Sequence, residues 1–159
     1  MTGTIVVGVD GSSGSVLALA WALAAAAEDD CVVEVVTAWP HTGPVFVREV
    51  PGHHSDARER ARSAQAGAVR EALAATRVDV RDDVPVTTVL ENDHPEHALA
   101  LRARHGHLLV LGATGRESPR ARTELADRYR ELLVDCPIAV VSPDTGRAEL
   151  FEPLARTGR

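Results

Sequence analysis

Apolar positions along the chain fall into short dense runs separated by stretches with helical spacing. Ile5-Val6-Val7-Gly8-Val9 is almost continuously apolar and is closed by Asp10-Gly11-Ser12-Ser13, as expected of a strand buried on both faces and ended by a turn. Ser12 or Ser13 then caps a helix, because a short hydroxyl side chain satisfies the free amides of a first turn. The apolar stretch through Ala27 fills that helix, and Glu28-Asp29-Asp30 ends it. Cys31 to Trp39 is a β-branched run stopped by Pro40, which predicts a second strand. The segment from His41 to His54 holds two further prolines and two glycines without a sustained period, and reads as a long loop.

From Ser55 to about Thr76, alanines at 57, 61, 64, 68 and 72 make a thin apolar stripe opposite a face of arginines, the pattern of a helix that packs closely on a sheet. Val84 to Leu90 predicts a third strand. Asp93 and Glu96, around Pro95, open a short helix through Ala103. Leu108 to Leu111 predicts a fourth strand running into Gly112-Ala113-Thr114-Gly115, and Ser118-Pro119 opens a helix to about Val134. Ile138 to Val141 is the fifth strand. Five strands alternating with helices predict an α/β fold, a doubly wound five-stranded parallel sheet in one domain over residues 1–143, with 144–159 as a tail outside it.

Composition narrows the chemistry. Seventeen basic residues against twenty-three acidic ones give a net charge of −6, which disfavours sequence-independent binding of nucleic acid. Every basic residue is an arginine, so mechanisms that need a lysine, such as a P-loop or a Schiff base, are excluded. The longest apolar run, Val16 to Ala27, is alanine-rich and far short of the roughly twenty residues a membrane span needs. Met1 leads into Thr4-Ile5-Val6-Val7 without a basic region or cleavage site, so neither a signal peptide nor a lipid anchor is expected. Two distant cysteines, Cys31 and Cys136, favour a reducing cytoplasm over a disulfide framework, and no chemistry is assigned to them.

Ligands of doubly wound sheets bind beyond the carboxyl ends of the strands where strand order reverses. The turn at Asp10-Gly11-Ser12-Ser13 and the loop Gly112-Ala113-Thr114-Gly115 are the candidates there. Paired glycines can aim amide hydrogens at an anion, but strand-to-helix turns use glycine routinely, and Asp10 can simply bond its own turn; both readings stay open. Gly8, Gly11 and Gly14 miss the dinucleotide spacing. His94 with His97, or His105 with His107, lack acidic or cysteine partners at ligand spacing, so no metal site is expected. Ser12 and Ser13 lack a nucleophile elbow.

In combination and order, Ile5 to Ser12, Val35-Val36-Thr37-Ala38-Trp39, Leu108 to Gly115 and Cys136 to Val141 resemble the universal stress proteins over nearly the whole chain. The resemblance implies an adenine nucleotide alpha-hydrolase-like fold and, in the nucleotide-binding branch, an ATP site taken with magnesium. Asp10 would match the acidic residue near the nucleotide, Ala38 the position whose backbone reads adenine, and Gly112 with Gly115 the start of the phosphate loop, with Arg116 beside it. That branch's pattern is G-x2-G-x9-G-[S/T], and nine residues past Gly115 stand Leu125-Ala126. Leucine resists glycine-only backbone shapes, alanine carries no hydroxyl, and a helix opening at Ser118-Pro119 commits their amides to helical bonds.

Three functional readings follow. The first is a non-catalytic, homodimeric, cytoplasmic stress-response protein with a degraded nucleotide site and a regulatory protein partner. As the family pairs its last strand across a two-fold axis, Ile138 to Val141 would form the dimer edge. The second is an ATP-binding protein that keeps Asp10, Ala38, Gly112 and Gly115, with Arg116, Arg120 and Arg122 drawing the anion. The third, a phosphohydrolase, has only Asp10 as a candidate metal-binding group.

Overall fold

A computed structural model describes residues 3–39, 53–76, 84–113, 118–133 and 135–154. The elements run β1 (Thr4–Gly8), α1 (Ser13–Asp29), β2 (Val32–Ala38), α2 (His53–Ala75), β3 (Val86–Glu91), α3 (Pro95–Ala103), β4 (Leu108–Gly112), α4 (Pro119–Arg130), β5 (Ile138–Val141) and β6 (Ala148–Phe151). They form a single sheet in the order β3-β2-β1-β4-β5-β6, parallel except for β6.

Side chains alternate across a strand, so a strand with helices on both sides must be apolar at every position. β1 shows this directly. Ile5, Val7 and Val9 pack into a core with Leu19 and Leu23 of α1 and Ala68 and Ala72 of α2. Val6 turns to the opposite core, with Leu99 of α3 and Ala126 and Tyr129 of α4. The two layers are the doubly wound arrangement that the alternation of elements predicts.

Polar side chains fasten the helices to the sheet. Gln65 of α2 is buried and donates from Nε2 to the main-chain oxygens of Val35 (3.2 Å) and Val89 (2.9 Å), tying β2 and β3 to that helix. Arg102 of α3 reaches Glu91 at 2.5 Å and Glu34 at 3.4 Å on the other face. A guanidinium spanning two strands fixes where α3 lies, although its partial exposure keeps its contribution modest.

The sheet has six strands where five are expected. Ser142 accepts hydrogen bonds at Oγ from the amides of Asp144 and Thr145, and its main-chain oxygen accepts from Gly146, so the chain reverses directly after β5. Ala148–Phe151 then lies antiparallel on β5, Val141 opposite Ala148 and Ile138 opposite Phe151. The sheet therefore continues past the expected boundary at 143 into the segment read as a tail. Ile138 to Val141, the strand expected to pair across a dimer axis, has β4 on one side and β6 on the other, and the exposed edge belongs to β6.

Smaller differences concern helix ends. α2 begins at His53, inside the segment read as loop to His54. α4 ends at Arg130, where Leu132 and Leu133 both donate to the Tyr129 carbonyl and tighten the last turn; Val134, the expected end, lies outside the described residues. At α3 the cap position is His94, whose amide bonds the Asp93 carboxylate at 2.7 Å, so Asp93 sits one residue too early to cap the helix.

Candidate functional site

Strand order reverses between β1 and β4, and a crevice opens at their carboxyl ends. Gly8, Val9 and Asp10 follow β1, Ser12 and Ser15 come from the start of α1, Val36 and Ala38 from β2, Leu111 and Gly112 from β4. Pro95 and Leu99 of α3 and Leu125 and Tyr129 of α4 close it from the other layer. The cavity measures about 190 Å³.

Three of the expected residues meet here: Asp10, Ala38 and Gly112. Gly115 and Arg116 lie outside the described residues. Of the other arginines offered as anion attractors, Arg120 pairs with Glu124 at 2.9 Å on the surface of α4, and Arg122 with Glu149 of β6 at 2.7 Å. Neither lines the crevice, so their charge is spent on neighbouring carboxylates.

Asp10 bonds its own turn. Its Oδ1 accepts from the Ser12 amide at 2.8 Å. Partial burial works against its charge, but hydrogen bonds led by the Ser12 hydroxyl and amide outweigh that, leaving its pKa below the ordinary carboxylate value. Ser12 is the cap of α1, accepting from the Ser15 amide at Oγ, while the Ser15 hydroxyl donates to the Ser12 carbonyl at 2.9 Å. The turn between them needs Gly11, whose φ of 88° lies in the left-handed region.

Gly112 has a different reason to be glycine from the sharp turn expected of it. It stands within β4, opposite Val141. A Cβ added there would lie 2.4 Å from the Gly14 oxygen and 2.9 Å from the Ser15 nitrogen, and one added to Gly14 would lie 2.6 Å from the Ala113 oxygen. The two glycines let the end of β4 and the first turn of α1 touch backbone to backbone. Gly14 was visible in the sequence only as a failed dinucleotide spacing; nothing local announces its role.

Ala38 lies two residues beyond the last β1–β2 pair, Gly8 with Val36. The Trp39 amide bonds Glu91 of β3, and successive residues face opposite edges of a strand, so the main chain of Ala38 is turned toward the β1 side, where the crevice begins. An exposed strand edge of this kind offers an adjacent donor and acceptor to a flat heterocycle.

Leu125 and Ala126 lie inside α4, Ala126 fully buried and Leu125 at the crevice wall. Tyr129, one turn on, is buried, which pushes its hydroxyl pKa up to about 12 and keeps it protonated. Spacing alone puts Leu125 and Tyr129 on one helix face, so this wall was legible in principle. Val36 and Leu99, the apolar floor, read in the sequence as ordinary core.

Other candidates stay apart from the crevice. His94 and His97 meet edge to face at 6.3 Å, and among the described residues no group of three or more potential metal ligands gathers. Cys31 and Cys136 are buried free thiols, and burial pushes the Cys136 pKa up to about 11. Among the described residues no helix is long and apolar enough to cross a membrane.

The sequence model of the Universal stress protein family matches residues 1–141. Among solved structures, the chain is similar to a universal stress protein in complex with cAMP, at 22% identity and a TM-score of 0.60, covering 87% of this chain and 96% of that one. It is also similar to universal stress protein UspA from Lactobacillus plantarum (20% identity, TM-score 0.54, 88% and 96% covered). A protein of the family from Burkholderia pseudomallei matches at 22% identity and TM-score 0.53, with 87% and 95% covered. No curated protein matches the chain. These neighbours share the fold, the family match spans nearly all of the sheet and its crevice, and the chain belongs to the universal stress protein family.

Proposed function

We propose that the chain is a non-catalytic, cytoplasmic stress-response protein that acts through a regulatory protein partner, with a crevice that keeps its base-reading side and has lost its phosphate-gripping side. One observation carries this: Leu125 and Ala126 stand where the nucleotide-binding pattern has glycine and a hydroxyl residue, and both are helical, with Leu125 projecting to the cavity wall. Amides within a helix are already bonded and cannot cup a phosphate. The residues present do not fit a triphosphate with magnesium. Among the described lining residues Asp10 is the one charged group, and its sign is wrong for a phosphate.

A second reading, ATP binding through the retained Asp10, Ala38 and Gly112, draws support from the neighbour in complex with cAMP. Two measurements separate them. Purified protein is denatured and its supernatant assayed for nucleotide by absorbance and mass spectrometry, and ATP with magnesium is titrated calorimetrically. Absence of carried nucleotide with binding weaker than millimolar is expected; micromolar binding overturns the first reading in favour of the second. We also propose a homodimer, formed along the exposed edge of β6, where Leu150 is 61% exposed. Sedimentation as a monomer at micromolar concentration would refute it.

A further inference from the structure

We infer that the crevice selects an uncharged nucleoside over its phosphorylated forms. This rests on the reading of the crevice as a nucleoside site whose phosphate side is lost, and it adds what the remaining half recognises.

The start of a helix ordinarily attracts an anion, because its first amides are unpaired and its dipole is positive there. At α1 that position is filled from within the chain. The Ser12 amide and hydroxyl both serve the Asp10 carboxylate. The Ser15 amide goes to the Ser12 hydroxyl oxygen and the Ser15 hydroxyl proton to the Ser12 carbonyl. Of the donors at this rim, the Ser12 amide and hydroxyl and the Ser15 amide are committed, and the group that Ser12 serves is itself negative. An incoming phosphate therefore meets a carboxylate at the rim.

The same carboxylate suits a neutral, hydroxylated ligand. Asp10 has acceptor capacity beyond its turn and is exposed at the crevice mouth. Two adjacent sugar hydroxyls can donate to it as charge-assisted hydrogen bonds. Inward, Val36, Leu99 and Leu111 make an apolar floor for a flat ring, with the main chain of Ala38 at its edge. On the far side, Leu125 and the protonated Tyr129 complete the wall. Among the described lining residues no cation repays the desolvation of an anion.

The test is calorimetric titration of the full chain with adenosine, AMP and ATP-magnesium under one buffer, repeated on Asp10→Asn. Asparagine retains an oxygen for the Ser12 amide, and circular dichroism checks that the variant is folded. Adenosine is expected to bind at least about 10-fold more tightly than AMP or ATP, and Asp10→Asn to narrow that ratio by about 10-fold, mainly by admitting AMP. If none of the three binds, the inference falls while the phosphate-deficient crevice of the proposed function stands. If ATP binds as tightly as adenosine, both fall. An adenosine preference unchanged in Asp10→Asn refutes the part given to the carboxylate.

Discussion

Replacing Gly112 by alanine tests the backbone contact on which the crevice is built. The added carbon would sit 2.4 Å from the Gly14 oxygen and 2.6 Å from its carbonyl carbon, and real Cβ contacts essentially never fall below 3.0 Å. The end of β4 and the first turn of α1 must therefore part by at least 0.6 Å, the difference between 2.4 and 3.0 Å. The obstructing atoms are backbone, so no side chain can swing aside. Overpacking of this kind costs about 1–3 kcal/mol, here at the upper end, while the lower chain entropy of alanine returns about 0.4–1 kcal/mol. A net loss of about 2 kcal/mol, or roughly 4–8 °C in Tm for a chain of this size, is expected in urea and thermal unfolding. Gly14→Ala meets the Ala113 oxygen at 2.6 Å and should also destabilise, although alanine is the better helix former. Because one displacement relieves both clashes, the double variant should lose less than the two singles together. A Gly112→Ala protein within about 0.5 kcal/mol of the parent would show that the contact is slack, and the reasoning would be wrong.

Three further outcomes are expected. Thr37 is buried on β2 and its hydroxyl finds no hydrogen-bond partner among the described residues, so Thr37→Val should raise stability by up to about 1 kcal/mol; a loss of that size in denaturant unfolding would contradict the reading. The folded-state pKa of Asp10 is depressed, so its contribution is fully present above the unfolded value near 3.9 and fades as pH falls through the folded value; Asp10→Ala should flatten the acid limb of the stability profile, and an unchanged limb would refute this. Ending the chain at residue 143 removes β6, uncovers Ile138–Val141 and loses the packing of Phe151, worth about 2 kcal/mol, and light scattering should show association beyond a dimer; a product as stable as the parent and no larger than a dimer would mean that β6 does not guard the edge.

Legibility varied with the range of the interactions involved. β1 and β4 were plain in the sequence because burial on both faces leaves an unbroken apolar run, and α4 because Ser118-Pro119 is a local start signal. That start signal also placed Leu125 and Ala126 inside a helix. β6 was missed: its four residues, Ala-Glu-Leu-Phe, carry too little pattern to call a strand, and it forms because the Ser142 turn delivers it to an open edge. Gly14 and Gly112, ninety-eight positions apart in number, constrain each other only once β4 and α1 are packed.

The order of elements, the parallel sheet and the switch point between β1 and β4 were determined by the sequence alone, since hydrophobic period and caps act over a few residues and connection rules do the rest. The Asp10 bond to Ser12 and the Arg120–Glu124 pair form within a turn of chain, whereas only the tertiary structure decided that Arg122 of α4 turns to Glu149 and that the edge of β5 is covered. Those outcomes depend on which groups meet across the fold, and a charge or an unpaired strand edge takes whichever partner the packing brings within reach.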